Sequence, residues 1–358
     1  MIKKFTVLSI LLSLLTVLCS CSLNDTNSVG EYYSATFFAM DTEVTVKLAR
    51  AKSADGSSDC FEDKYLSAII KECADIASEK EAVLSRTKDD SVVSELNAET
   101  DYFVKPDKEV LSLISKSNEI SKNTGGAFDI TVGTITELWD VTGSDPSVPA
   151  DEDIQEALSH VGYEKIITDN EDLSKTDRET KIDLGAIGKG YTLGCIIDYL
   201  KTTDVLYGVV SFGGNVGVFG KKPNGAKFKV GITNAEDTTG VIGYVYIESG
   251  YVSVSGDYER YFVSDGKKYT HIFDPSTGRP AETDISSVAV ICSDPSLADA
   301  LSTALFVKGS EKSMNFYVQS VYKFEAVMQT EDGSIILTDM LNRDDAFEKY
   351  VPAESSAE

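Results

Sequence analysis

The stretch from His271 to Gly309 constrains this chain's fold more tightly than any other. It contains a helix that marks its own ends. Asp294-Pro295 supplies an N-cap residue followed by proline at the first helical position, where a missing N–H costs nothing. Leu297, Ala298, Leu301, Ala304, Leu305 and Val307 recur at helical spacing, and Gly309 provides the stop. The spacing therefore predicts a helix over 295–307. Ahead of it, HIFDPSTGRP (271–280) reads as a tight turn in which proline presets φ, hydroxyls bond nearby backbone groups and Gly278 admits positive φ. Asp299 and Thr303 stand at i and i+4, so a carboxylate and a hydroxyl share one helix face. Oxygen ligands on one face, beside a turn carrying His271, suit a hard cation and a phosphate-bearing substrate. Each feature alone has a blander reading. A lone histidine in such a segment is more often structural than catalytic, and a polar helix face is usually just the solvated one.

Charge narrows the partners. Of 358 residues, 58 are acidic and 33 basic, for a formal charge of −25. Nucleic acid is excluded, because a phosphate backbone demands basic surface. A polyphosphate substrate of so acidic a protein calls for metal ions or local backbone donors. The length allows two or three domains or one large one.

The N-terminus predicts export. Lys3 and Lys4 precede an apolar run from Phe5 to Leu18, which has the length of a signal-peptide core and is short for a membrane span. Leu18-Cys19-Ser20-Cys21 resembles a bacterial lipobox. The expected layout is a signal peptide over 1–20, a lipidated Cys21, a polar tether over 21–34, a folded domain over 35–343 and an acidic tail over 344–358. The product would be anchored by lipid to the cell membrane on its extracytoplasmic face. Cys60, Cys73, Cys195 and Cys292 form no CxxC pair and no Cys/His cluster, which disfavours zinc and thioredoxin-type chemistry. Free, mostly buried thiols are the default, although export would permit a Cys60–Cys73 bridge.

Along the domain, residues 35–48 alternate as strands do, interrupted by AMDT (39–42) as a turn. Apolar spacing predicts helices over 60–84, 107–123 and 153–161, the last carrying a structural-looking His160. AFDITVGTITELW (127–139) is aromatic and β-branched and reads as strand or core. Its Asp129 sits amid apolar neighbours and needs a partner. In KIDLGAIGKGYTLGCIIDYL (181–200) a strand ending at Leu184 leads through Gly185, Gly188 and Gly190 into an apolar helix. Such a turn lets backbone groups approach an anion, and Lys189 adds charge. It fits neither the Walker spacing nor the dinucleotide fingerprint. Strands then recur to residue 337, broken by Gly213-Gly214-Asn215 and by SGDYER (255–260), where Tyr258 and Arg260 are candidate ring and phosphate contacts. Strands and helices mix without βαβ alternation, so the predicted class is α+β.

Seven of these stretches, AMDT, AFDITVG, DLGAIGKGY, FGGN, SGDYER, HIFDPSTGRP and DPSLADALSTAL, occur in the order typical of one family. The chain resembles the ApbE family of exported flavin transferases over roughly residues 35–340. The resemblance implies an α+β fold with mixed or antiparallel sheets and FAD in a cleft between two lobes. It implies Mg²⁺-dependent transfer of FMN from FAD to a Thr or Ser hydroxyl of an exported acceptor protein, with AMP released. Carried over by position, Met40 would line the adenine pocket. Ala127, Phe128, Asp129, Asp183, Lys189 and His271 would contact FAD. The carbonyl of Ala186 and the side chains of Asp299 and Thr303 would hold Mg²⁺, and His271 would be catalytic. Asp274, on the same turn, would orient the imidazole or face a second metal. Asp41 departs from the family's usual glycine in AMGT, and Ile130 and Thr134 stand where prolines are frequent. Two rival readings share the site: an FAD pyrophosphatase that uses water in place of the acceptor, and a lipoprotein that only binds FAD.

Overall fold

The computed structural model describes residues 31–53, 60–98, 103–169, 171–343 and 346–351. The signal peptide, Cys21 and most of the tether lie outside them.

An eight-stranded antiparallel meander forms the frame: β1 (Tyr32–Ala39), β2 (Thr42–Ala49), β3 (Tyr207–Phe212), β4 (Asn215–Gly220), β5 (Gly250–Gly256), β6 (Ile285–Cys292), β7 (Glu325–Thr330) and β8 (Ile335–Leu337). Spatial order equals chain order, and everything else is an insertion between consecutive strands. The residue-by-residue alternation of side chains divides apolar groups between the two faces. Val44, Val46, Leu48, Val210 and Phe212 meet α1 (Asp63–Leu84) and α5 (Gly188–Lys201) on one face. Val209, Val216, Val218, Val252 and Ala289 meet a three-stranded sheet (Phe228–Thr233, Val241–Ile247 and Phe347–Lys349) on the other. This α+β architecture agrees with the predicted class. The last of those strands corrects the boundary drawn at 344. Phe347 packs into the core beneath its sheet, so the chain is still structured there.

Further helices include α2 (Lys108–Thr124), α3 (Gly133–Trp139), α4 (Asp151–Ser159) and α6 (Pro295–Lys308). The Asp107 side chain caps α2 through the Glu109 N–H at 2.7 Å, and left-handed Gly125 ends it. Asp294 accepts from the Leu297 N–H at 3.1 Å to start α6. Two segments depart from their sequence patterns. Residues 133–139 are helical despite β-branched content, because Ile135 and Trp139, one turn apart, fill a small core with Ile154 and Phe273. Burial overrides strand propensity there. The strand expected before Leu184 shrinks to a single bridge between Val132 and Lys181.

The α5–α6 contact is unusually close. A Cβ on Gly190 would lie 2.3 Å from the Pro295 carbonyl oxygen and 2.7 Å from the Asp299 Cβ, so only glycine admits this approach. The antiparallel meander also gathers three connections at one end of the sheet. They are the β1–β2 turn at Met40–Asp41, the β3–β4 turn at Gly213–Gly214, and the β5–β6 excursion that carries Arg260 and His271.

Candidate active site

Those connections, with the 183–190 turn and α6, wall a cavity of about 950 Å³. That volume falls within the range of cofactor-sized sites. Met40, Ala127, Phe128, Asp129, Asp183, Ala186, Lys189, His271, Asp299 and Thr303 all line it. Residues spread over most of the chain are therefore brought to one space.

His271 enters on a fixed turn. The Trp139 indole N–H donates to the Gly278 carbonyl at 2.9 Å, and Gly278 adopts φ 67°. The His271 backbone N–H and ring Nδ1 both lie 3.1 Å from the Arg260 carbonyl oxygen. A carbonyl only accepts, so Nδ1 carries the proton and Nε2 keeps its lone pair. Burial lowers the imidazole pKa to about 4. Lys189 pushes the same way, while the bond to Arg260 opposes. The ring is thus neutral at physiological pH. Asp274 does not orient it, correcting one of the two roles considered. Its carboxylate accepts from the Ser276 N–H at 2.8 Å and the Ser276 hydroxyl at 2.7 Å, which folds the turn on itself.

Asp299 is 3% exposed. Its Oδ2 accepts from the Gly190 N–H, in the first turn of α5, at 2.7 Å, and its Oδ1 accepts from the Asn215 amide at 3.0 Å. The helix start contributes favourable dipoles. Among the described residues no lysine or arginine pairs with this carboxylate. Beyond those two donors, further oxygens lie close by: Ser255 Oγ is 2.7 Å from Ser302 Oγ and 3.4 Å from Thr303 Oγ1, and Asn215 Oδ1 is buried without a partner. A buried carboxylate bonded only to neutral donors, with hydroxyl and amide oxygens nearby and no paired lysine or arginine, suits a hard metal ion. Among the described residues no three His, Cys, Asp or Glu side chains cluster as they do around zinc. One carboxylate, a hydroxyl and a carbonyl fit Mg²⁺, which keeps several waters and binds substrate phosphates.

The other predicted residues have protein partners as well. Asp183 Oδ1 accepts from the Gly185 N–H at 2.8 Å, and Oδ2 lies 3.0 Å from Arg86 Nε. Lys189 Nζ donates to the Gly185 carbonyl at 3.2 Å. Asp129 finds the partners its burial demanded, the Thr131 N–H and hydroxyl and the Tyr163 N–H, each within 2.8 Å. Burial still leaves its pKa raised. Met40 and Asp41 hold φ of 49° and 57°, the left-handed pair of a two-residue hairpin turn. Glycine suits that conformation best, and aspartate is among the few other residues that tolerate it. The Arg260 guanidinium braces the turn from outside at the Asp41 carbonyl, 3.2 Å away.

Sequence reasoning missed Asn215, Arg86 and Glu259. Asn215 had a signal, a polar residue placed after two glycines in an apolar strand. Glu259 also lines the cavity, and enclosure by protein raises its pKa while Lys189 and Arg260 oppose. Nothing in its local pattern pointed inward.

A family model described as "ApbE family" matches residues 40–328. An FAD:protein FMN transferase of Treponema pallidum (strain Nichols) is 31% identical over 263 residues, covering 69% of this chain and 73% of that protein. One from Klebsiella pneumoniae (strain 342) is 32% identical over 261 residues, covering 72% and 81%. The crystal structure of the ApbE protein of Thermotoga maritima superposes with a TM-score of 0.78 at 34% identity, covering 87% of this chain and 98% of that one. The apo form of the Pseudomonas stutzeri flavinyl transferase ApbE gives 0.72 at 28% identity, covering 87% and 96%.

Proposed function

The chain belongs to the ApbE family, and from that premise we propose that it transfers FMN from FAD to a Thr or Ser hydroxyl of an exported protein, with Mg²⁺ as its cation. One observation carries the reading. A neutral imidazole and a buried carboxylate without a cation face the same cavity, each held by groups that leave it free to act.

The chemistry requires little more. The acceptor oxygen bonds to the phosphorus of the FMN half while the P–O bond to the AMP half breaks. AMP leaves with the bridging oxygen and its electron pair. The acceptor proton passes to His271 Nε2, which is positioned by the Arg260 carbonyl behind it. Asp299, Thr303 and the Ala186 carbonyl would hold Mg²⁺, which neutralises diphosphate charge and favours in-line displacement. Lys189, on the glycine-rich turn, adds positive charge for the diphosphate. Met40 packs against both flanking cores from its strained turn and offers an apolar wall to the adenine. The lipobox-like Cys21 supports anchorage outside the cell membrane, where exported acceptors are found.

The test is to incubate the protein with FAD, Mg²⁺ and an acceptor carrying Asp-x-x-Ser/Thr-Gly-Ala-Ser/Thr, then to weigh the intact acceptor and assay AMP. A gain of one FMN with AMP released, both abolished by EDTA, supports the transferase. AMP with free FMN and an unmodified acceptor indicates a pyrophosphatase, and intact bound FAD indicates a binding lipoprotein.

A further inference from the structure

Resting on the cation site proposed above, we infer that Asn215 is the positioning residue of that site. It sets the direction in which Asp299 presents its free lone pairs.

Asn215 opens β4, directly after the Gly213–Gly214 turn, and is fully buried. Its amide nitrogen donates to Asp299 Oδ1, while the Gly190 N–H occupies Oδ2. Each carboxylate oxygen thus spends one lone pair on a neutral donor. A neutral amide achieves this without cancelling the charge, whereas lysine or arginine would satisfy the geometry and remove the attraction for a cation. The carboxylate also fixes the amide's orientation, because only the NH₂ end can face it. Asn215 Oδ1 is left with no hydrogen-bond partner. Leaving a buried carbonyl oxygen unmatched is destabilising. A purely structural asparagine would be hard to retain at that cost. The two donors come from separate segments, the start of β4 and the start of α5, and the close α5–α6 contact at Gly190 brings the second of them to the carboxylate.

The test uses Mn²⁺ as probe, with affinity read by electron paramagnetic resonance without FAD, and thermal unfolding measured in EDTA. Asn215→Ala should weaken Mn²⁺ binding about 10–100-fold, the usual effect of losing a ligand's hydrogen-bond partner. Asn215→Leu keeps the volume, removes the amide and should weaken it equally, which covers the case in which the alanine variant fails to fold. Ser253→Ala alters the residue paired with Asn215 on β5, whose hydroxyl has no partner. It should bind Mn²⁺ as the unaltered protein does. Unchanged Mn²⁺ affinity in a folded Asn215 variant would overturn the inference. Asp299→Asn separates the two levels. If it binds Mn²⁺ normally, the cation site itself is misplaced. If it loses Mn²⁺ while Asn215→Leu does not, only the positioning role falls.

Discussion

The chain's two histidines sit in regions built from similar parts and wired oppositely. Away from the cavity, His160 Nδ1 and Lys165 Nζ each lie 2.9 Å from the same Asp177 oxygen, and Glu156 stands near the far side of the ring. Burial raises the Asp177 pKa, but its bonds to Lys165 and His160 prevail and bring it to about 2. Charge there is closed in on itself. In the cavity, His271 and Asp299 bond instead to a backbone carbonyl, a backbone N–H and a neutral amide. Both keep unused capacity. The contrast teaches that residue type says little about function. What matters is whether the protein has already spent the group.

The largest effect should follow removal of the unspent charge. Asp299→Ala should cut FMN transfer by about 10³-fold or more, the scale of losing a catalytic cation. Single-turnover rates over a Mg²⁺ titration check it, and unchanged activity would place the cation elsewhere. Next, His271→Ala should slow transfer by about 10²-fold while leaving FAD affinity intact. That is the lower end of general-base contributions, because an imidazole with a pKa near 4 is a weak base. Loss of FAD binding would make His271 a binding residue instead.

In the His160 region the same kind of cut should leave catalysis untouched. Asp177→Ala should cost about 1 kcal/mol at neutral pH, discounted for its partly exposed partners. The depressed pKa makes this stability present above about pH 4 and lost as pH falls toward 2. Denaturation curves at pH 7 and 3 should show the cost shrinking. A drop in transfer rate would blur the distinction between the two regions. The last effect concerns acid sensitivity. His271 is neutral when folded and protonates more readily when unfolded, so its stabilisation is full above about pH 6.5 and lost on the way to pH 4. His271→Ala should unfold less steeply with acid in that window.

Much of the frame was legible because local rules and burial agreed. Asp294, Pro295 and Gly309 delimit α6 in sequence and in structure alike. Residues 127–139 misled because a one-turn spacing at Ile135 and Trp139 lay hidden among β-branched neighbours, and only the small core against Phe273 chooses the helix. For the site, family resemblance supplied residues, and those assigned to FAD, Mg²⁺ and catalysis line the cavity, whereas Asp274 does not. It did not supply their wiring. No local pattern shows that Asn215 meets Asp299 across 84 residues, or that Arg260 rather than Asp274 holds His271. Long-range hydrogen bonds are set by which insertions the meander gathers, and that is a property of the closed sheet.

A protein with only two histidines permits one direct measurement. Uniform ¹⁵N-histidine labelling, with His271→Ala to assign the signals, follows both rings through a pH titration. His271 should appear as the neutral Nδ1–H form from pH 8 down to about 5 and protonate near pH 4, held by the Arg260 carbonyl and discouraged by Lys189. Protonation near pH 6.5, or an Nε2–H form at neutral pH, would show that the cavity histidine is not a base held in reserve.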